Sequence, residues 1–570
     1  MLRSRSTSLI LLAALLLSQT SFASSFQQQK ARRRSALNVT DEWKPTSLPT
    51  DLGEHLFKQQ SHPRRRLNPS KGSFTFLVLL VQFTDHQDRN LPSKEYFEEL
   101  CNGSGPSDIN PAGSIAEYFN KNSYGQFNVR CDVRDWALTD NTEDFYAAGS
   151  RGLVGTLQGQ TFFKPVLDKI ETQELRSDKF FFFNLDGVLD VPKDEVEDGD
   201  GFIELLVLHS GYASEAVETD CFGRGREDRI WSQGHKGADG GWKTSDSNFA
   251  VMGYTVASAL DHLDDCQGGV GSKMGIQTHE LFHTFGALDL YDPSILNIVG
   301  GVGAFDIMAS PYGQGFDFAY PGLASPFTKI QAGWLEPIEI TVDGVYEIAA
   351  SITSDKVYIL KENFPTGEYL LIENRQVGNW DKNLWGAGGL AIYHIDEDAD
   401  KQNNAGFPGQ LGWPQNGNHF QVAVVQADGH YDLEKAINDG DSGDFYVAGR
   451  SLSPGDGFTY PNTDSYQGGR LSRTGITITD ISSSGPTMSF RVSGLSAVQN
   501  PAVSPVGSSA PTPNPAQIPP PTPTGTGAIA PSPAPTPAPS KDDASSATMH
   551  SFLVSLCAFL SVGAMLLIGV

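Results

Sequence analysis

The chain has 570 residues, with 41 Lys plus Arg against 67 Asp plus Glu and a formal net charge of −26. That length exceeds a single compact core and predicts two or three folded units, and a composition of 39% hydrophobic and 10% aromatic residues excludes a wholly disordered chain. So acidic a chain also excludes nucleic acid as a partner, because phosphate contact needs Lys and Arg.

The N-terminus departs from that acidity: residues 1–70 hold 11 Lys/Arg and only 4 Asp/Glu. Arg3 and Arg5 precede the apolar run 9–17, and Ser21-Phe22-Ala23 supplies the small residues a signal peptidase reads. Residues 1–23 are therefore expected to be a secretory signal, the run being too short to span a bilayer. Residues 24–71 form a basic leader with clusters at 32–34 and 64–66; it reads either as a pro-segment with processing sites or as a flexible leader.

Residues 73–83, SFTFLVLLVQF, predict a buried strand from their apolar, β-branched run. Helix and strand patterns alternate from there to about Pro337, including a strand over 202–208, and 72–337 is expected to be one domain. From 338 the texture changes to short strands at 345–349, 356–360, 369–374, 389–394, 420–426, 476–481 and 488–492, separated by Gly, Asn and Asp. Seven such strands predict a β-sandwich over 338–494.

Residues 495–545 read as a disordered Pro/Ser/Thr-rich stalk, 14 of the 34 prolines falling in 501–540. A polar spacer leads to the uncharged tail of the terminal segment 546–570, which has no Lys or Arg after it to stop transfer. The expectation is a GPI signal attached near 543–545, with an ordinary membrane span as the alternative. The protein is thus expected at the extracellular face of the plasma membrane, or secreted.

Export makes the thiols oxidisable. Cys557 lies in the tail, and Cys101, Cys131, Cys221 and Cys266 allow three pairings; the sequence-local pairs 101 with 131 and 221 with 266 are expected. Asn38-Val39-Thr40 and Asn102-Gly103-Ser104 are candidate N-glycosylation sites.

Chemistry concentrates in 278–292, T-H-E-L-F-H-T-F-G-A-L-D-L-Y-D. On a helix His279 and His283 share a face, and two imidazoles at that spacing bind Zn²⁺. Glu280 lies beside the first of them, within reach of a water on the metal. Gly286 falls where the helix must end in a left-handed turn, which returns Asp289 as a third ligand; Asp292 competes for that place. Phe305-Asp306-Ile307-Met308-Ala309-Ser310 looks like the methionine turn under the zinc of metzincins. Two acidic, Gly-containing loops are candidate calcium sites, with Asp194, Asp198 and Asp200 in one and Asp439, Asp441 and Asp444 in the other. His209 reads as a core or rim histidine.

The run 279–292, the Met308 segment and the flanking 326–335, with 198–204, 368–375 and 389–396, resemble the immune inhibitor A type of secreted metallopeptidases over roughly residues 73–494. The resemblance implies an α+β, metzincin-like zinc protease domain followed by the all-β sandwich, and an endopeptidase acting on extracellular proteins or peptides. Zinc on His279, His283 and Asp289 is then expected to acidify a water, with Glu280 as general base and Tyr312 as a candidate oxyanion donor. The rival expectation is a GPI-anchored adhesion protein whose protease module is inert.

Overall fold

The computed structural model describes residues 71–153, 162–173, 201–216, 218–236, 242, 249–261, 270–292, 300–315, 317–399, 405–414, 419–455 and 459–495. The signal peptide, the leader up to residue 70, the stalk and the terminal tail lie outside the described residues, as do Asn38, Cys266, Asp194, Asp198 and Asp200.

The apolar run near the start forms β1 (Gly72–Gln82), the inner strand of a six-stranded sheet. It pairs in parallel with β2 (Phe127–Val133), the short β3 (Ala137–Leu138) and β4 (Gly201–His209). Beyond β4 the sheet continues to β5 (Gln233–Lys236) and β6 (Phe249–Ser258): β6 pairs in parallel with β4, and β5 runs antiparallel to β6 at the edge. The run is unbroken in hydrophobicity because both faces are covered. Phe74, Phe76, Val78 and Leu80 enter one core, and Leu77, Leu79 and Val81 enter another, the period of two that a pleated strand imposes.

Helices α1 (Lys94–Asn102), α2 (Ile115–Asn122), α3 (Glu143–Ala147), α4 (Lys164–Gln173), α5 (Met274–Thr284) and α6 (Pro326–Gln331) accompany this sheet. α2 starts on a capping box, Ser114 with Glu117, and buries Tyr118 and Phe119. A disulfide joins Cys101 of α1 to Cys131 of β2. Beside it Asn102 uses its amide at both ends, donating Nδ2–H to the Cys131 carbonyl at 2.9 Å and accepting the Cys131 N–H at 2.8 Å. Cys221 is disulfide-bonded as well.

The remaining strands are β7 (Ile338–Glu339), β8 (Gly344–Ala349), β9 (Tyr358–Leu360), β10 (Glu368–Arg375), β11 (Gly389–Asp396), β12 (Val422–Val424), β13 (Thr477–Thr479) and β14 (Thr487–Ser493). They make a five-stranded sheet, β12-β11-β10-β9-β7, and a three-stranded one, β13-β14-β8. β9, β12 and β13 are shorter than their hydrophobic runs predicted. β10 and β11 pair over eight residues, Glu368 with Asp396 through Arg375 with Gly389.

Alternation again assigns the faces. Leu370, Ile372, Leu390 and Ile392 join a core shared with Ile348, Ile478, Met488, Phe490 and Val492 of the smaller sheet. Leu371, Ala391, Tyr393, Ile395, Val422 and Val424 instead enter the same core as Phe74, Phe282 and Met308. The change of texture at 338 thus marks a change of secondary structure, and one continuous core runs across it.

Candidate metal centre

α5 carries the two histidines on one face, with ring centroids 5.0 Å apart. Leu281 and Phe282, on its other faces, are fully buried in the core with Phe285. The helix ends where the sequence required: Gly286 has φ +82°, its N–H bonds the His283 carbonyl, and the Ala287 N–H reaches back to Phe282. That pair of bonds is a Schellman turn with glycine in the left-handed position, and it reverses the chain so that Asp289 faces the helix.

Asp289 Oδ1 lies 3.2 Å from the Nε2 atoms of both His279 and His283. Ligand atoms on a tetrahedral zinc with bonds of about 2.0 Å stand about 3.3 Å apart, so the spacing fits. The direction fits too. Asp289 Oδ1 is buried and makes no hydrogen bond of acceptable geometry despite its two close neighbours, as expected when three donor atoms point at a common centre and not at one another. Each histidine has its other nitrogen occupied: His279 Nδ1 lies 2.9 Å from the Ile307 carbonyl and His283 Nδ1 2.9 Å from the Ala287 carbonyl. Carbonyls only accept, so each Nδ1 carries a hydrogen and each Nε2 is turned inward, able to give its lone pair to a metal that displaces the proton there, an arrangement typical of metal-binding histidines.

The charges reinforce one another. Burial alone would depress His283, but Asp289 and Glu280 outweigh it and hold the imidazole at about 9. Burial works against Asp289 as well, yet the two histidines keep its carboxyl well below the usual range. Glu280 is buried, and that burial pushes it up to about 7, with the two histidines opposing and Asp289 and Glu215 adding. Its Oε2 is enclosed without a hydrogen-bond partner. His279, Glu280 and His283 thus form a group whose donor atoms lie within 4.8 Å of one another.

The turn that carries Met308 sits against this group. Met308 is fully buried, and the carbonyls on either side of its N–H do separate work: Ile307 receives His279, and Met308 receives the N–H of Leu290, next to Asp289. Asp306 shapes the turn, accepting from the Met308 N–H at 2.7 Å, the Ser325 N–H at 2.8 Å and the Thr328 hydroxyl at 2.7 Å.

Two neighbours escaped sequence reasoning. Tyr291 stacks on His279 with centroids 6.2 Å apart, and burial, with the field of Asp289 adding, pushes its hydroxyl well above the usual range; its place two residues after Asp289 was the available signal. Glu215, held by the Ser232 N–H at 3.2 Å, adds to the negative field on Glu280, and nothing in its sequence context marked it. Tyr312 packs edge-on to Phe318 at 4.7 Å, within electrostatic reach of Tyr291. Asp292 is fully buried outside the converging group, and His209 is fully buried at the end of β4, its Nδ1 accepting the Gly211 N–H. Of the second acidic loop, Asp441 and Asp444 converge with Asp428, and Asp439 is not in that group. Loop composition could not reveal Asp428, which the fold brings in from the far side of an intervening segment.

No curated protein matches the chain. Residues 71–330 match the family model described as immune inhibitor A peptidase M6, catalytic domain. Over those residues the chain is similar to the catalytic domain of the immune inhibitor A peptidases.

Proposed function

We propose that this protein is an exported zinc endopeptidase, with His279, His283 and Asp289 holding the metal and Glu280 moving the proton. The observation that carries this reading is the 3.2 Å convergence of Asp289 Oδ1 on both Nε2 atoms, with each Nδ1 tied back to a carbonyl. Zinc bound there would supply a Lewis acid that acidifies water and polarises a carbonyl oxygen.

The protein groups do the rest. Glu280 takes a proton from the water as its oxygen attacks the scissile carbon, and returns it to the amine as the C–N bond breaks. The Nδ1–H bonds to Ile307 and Ala287 fix the orientation of both imidazoles, with each Nε2 turned to the metal position. Strand β5 ends the order of its sheet and lies on α5: a Cβ built on Gly234 would stand 2.9 Å from the His283 Cβ. An edge strand offers backbone groups to an extended peptide, which suits internal cleavage of a chain. Tyr312 is the candidate donor to the developing oxyanion.

The oxygen-only group Asp428, Asp441 and Asp444 suits calcium. The two sheets after residue 338 read as a β-sandwich domain, and the signal and tail read from sequence put the enzyme at the cell surface. Glu280→Gln tests the mechanism. The variant should keep one zinc per chain and lose casein cleavage; normal turnover by that variant would remove Glu280 from the chemistry, and a wild-type protein with neither zinc nor cleavage would leave a binding protein with an inert module.

A further inference from the structure

Arg375 ends β10, outside the segment 71–330 that matches the peptidase family. It is nevertheless fully buried, one of the largest side chains to be so. All five of its N–H groups are used. Nε and one Nη2 hydrogen clamp Asp381 at 3.0 and 2.9 Å, and the second Nη2 hydrogen bonds the Leu323 carbonyl at 2.8 Å. Nη1 donates to the Phe305 carbonyl and to Glu373, whose Oε1 also accepts from the Tyr393 hydroxyl at 2.6 Å.

Both carbonyls that Arg375 grips flank the turn that carries Met308. Phe305 immediately precedes Asp306, and Leu323 leads into Ser325, whose N–H bonds the Asp306 carboxylate. Asp381 closes the frame by accepting the Leu323 N–H at 3.0 Å. From this braced turn the Ile307 carbonyl orients His279 and the Met308 carbonyl holds Leu290 beside Asp289.

We propose that Arg375 is a positioning residue for the metal centre: through Phe305 and Leu323 it fixes the turn whose carbonyls aim His279 and Asp289. The catalytic segment therefore borrows part of its metal-site support from the β-rich region. The inference rests on the reading of His279, His283 and Asp289 as ligands.

Arg375→Lys keeps the charge but cannot bridge Asp381, Leu323 and Phe305 together. In the full-length protein, zinc affinity is read by chelator competition, ligand geometry by the visible spectrum of the cobalt(II)-substituted protein, and stability by melting of the metal-free form. R375K should bind zinc 10- to 100-fold more weakly, the usual cost of losing outer-shell support, with an altered cobalt spectrum. Phe490→Leu, in the core between the two β-sheets and away from the turn, should lower the melting temperature and leave affinity and spectrum unchanged. An R375K protein that is less stable but has wild-type affinity and spectrum would overturn the proposal. A wild-type protein without zinc would instead overturn the metal reading beneath it. Should R375K fail to fold, Glu373→Gln keeps the Oε1 acceptor and removes only the charge that pairs with Nη1, and the same readouts must move in the same direction.

Discussion

Strand β5 and helix α5 meet at Gly234, where any side chain at all is an intrusion. A Cβ there would stand 2.9 Å from the His283 Cβ and 3.0 Å from its Cδ2. Carbon atoms pack comfortably at about 3.5–4.0 Å, so Gly234→Ala demands a separation of about 0.6–1 Å. The strand cannot simply swing away, because Gln233 to Lys236 are paired with Val256 to Gly253 of β6. Nor can the His283 Cβ yield like the end of a flexible side chain, since it moves only with the helix backbone. Part of the displacement must pass to the imidazole. Overpacking of this kind costs about 1–3 kcal/mol of stability, and misplacing a reacting group by a fraction of an ångström to 1 Å costs up to about 100-fold in rate. G234A should therefore cleave a fluorogenic peptide with kcat/KM lowered about 10- to 100-fold, or about 1.4–2.7 kcal/mol of barrier, and should release zinc faster to a chelator. If G234A turns over and retains metal as the wild type does, the packing of β5 on His283 does not govern the site.

Other outcomes follow from single features. Asp289→Asn should reduce bound zinc measured by atomic absorption, whereas Asp292→Asn should keep it; the reverse result would transfer the ligand role to Asp292. His209 is fully buried and lowered to about 3 by burial first, with Arg89 and Arg229 adding. The unfolded chain takes up that proton near 6.5 and the folded one does not, so the stability contribution is complete above pH 6.5. It is lost as pH falls towards 3, at about 1.4 kcal/mol per unit. His209→Gln should flatten the pH dependence of the urea midpoint between pH 4 and 6.5, and an unchanged slope would contradict this. The Cys101–Cys131 bridge closes a separation of 30 residues, and the double Cys→Ser variant should lose about 3–4 kcal/mol on loop-closure grounds. An unaltered denaturant midpoint would show that the loop is ordered without it.

What the sequence disclosed was local. His279, Glu280, His283, Gly286 and Asp289 fall within one turn-and-a-half of helix and its reversal, so spacing alone predicted their common face and the left-handed glycine. β1, β4, β10 and β11 were legible because strands covered on both faces carry nearly unbroken apolar runs. Contacts between distant segments were not legible. Asp428 reaches Asp441 and Asp444, Glu215 reaches the field of Glu280, and Arg375 reaches Phe305 only through the three-dimensional path of the chain. The set of buried His86 and Glu143 with half-buried Arg224 belongs to the same class: Arg224 Nη1 lies 2.8 Å from His86 Nε2 and 3.0 Å from Glu143, yet each residue is unremarkable in its own neighbourhood. The new texture at 338 predicted the strands but said nothing about which of their faces would meet the peptidase core.

That shared core has a consequence for biosynthesis. It takes in Phe74 near its start and Phe445 near its end, so most of the polypeptide must be made before the core can close. Chains emerge and fold from the N-terminus at about 5–20 residues per second, which separates the emergence of the His279 to Met308 segment from that of Phe445 by about 7–30 s. During that interval the ligands exist without their full packing. A chain that stalls or is truncated after the histidines would carry the motif but not the finished site, and no complete peptidase core could form until translation had passed the last strands that seal it.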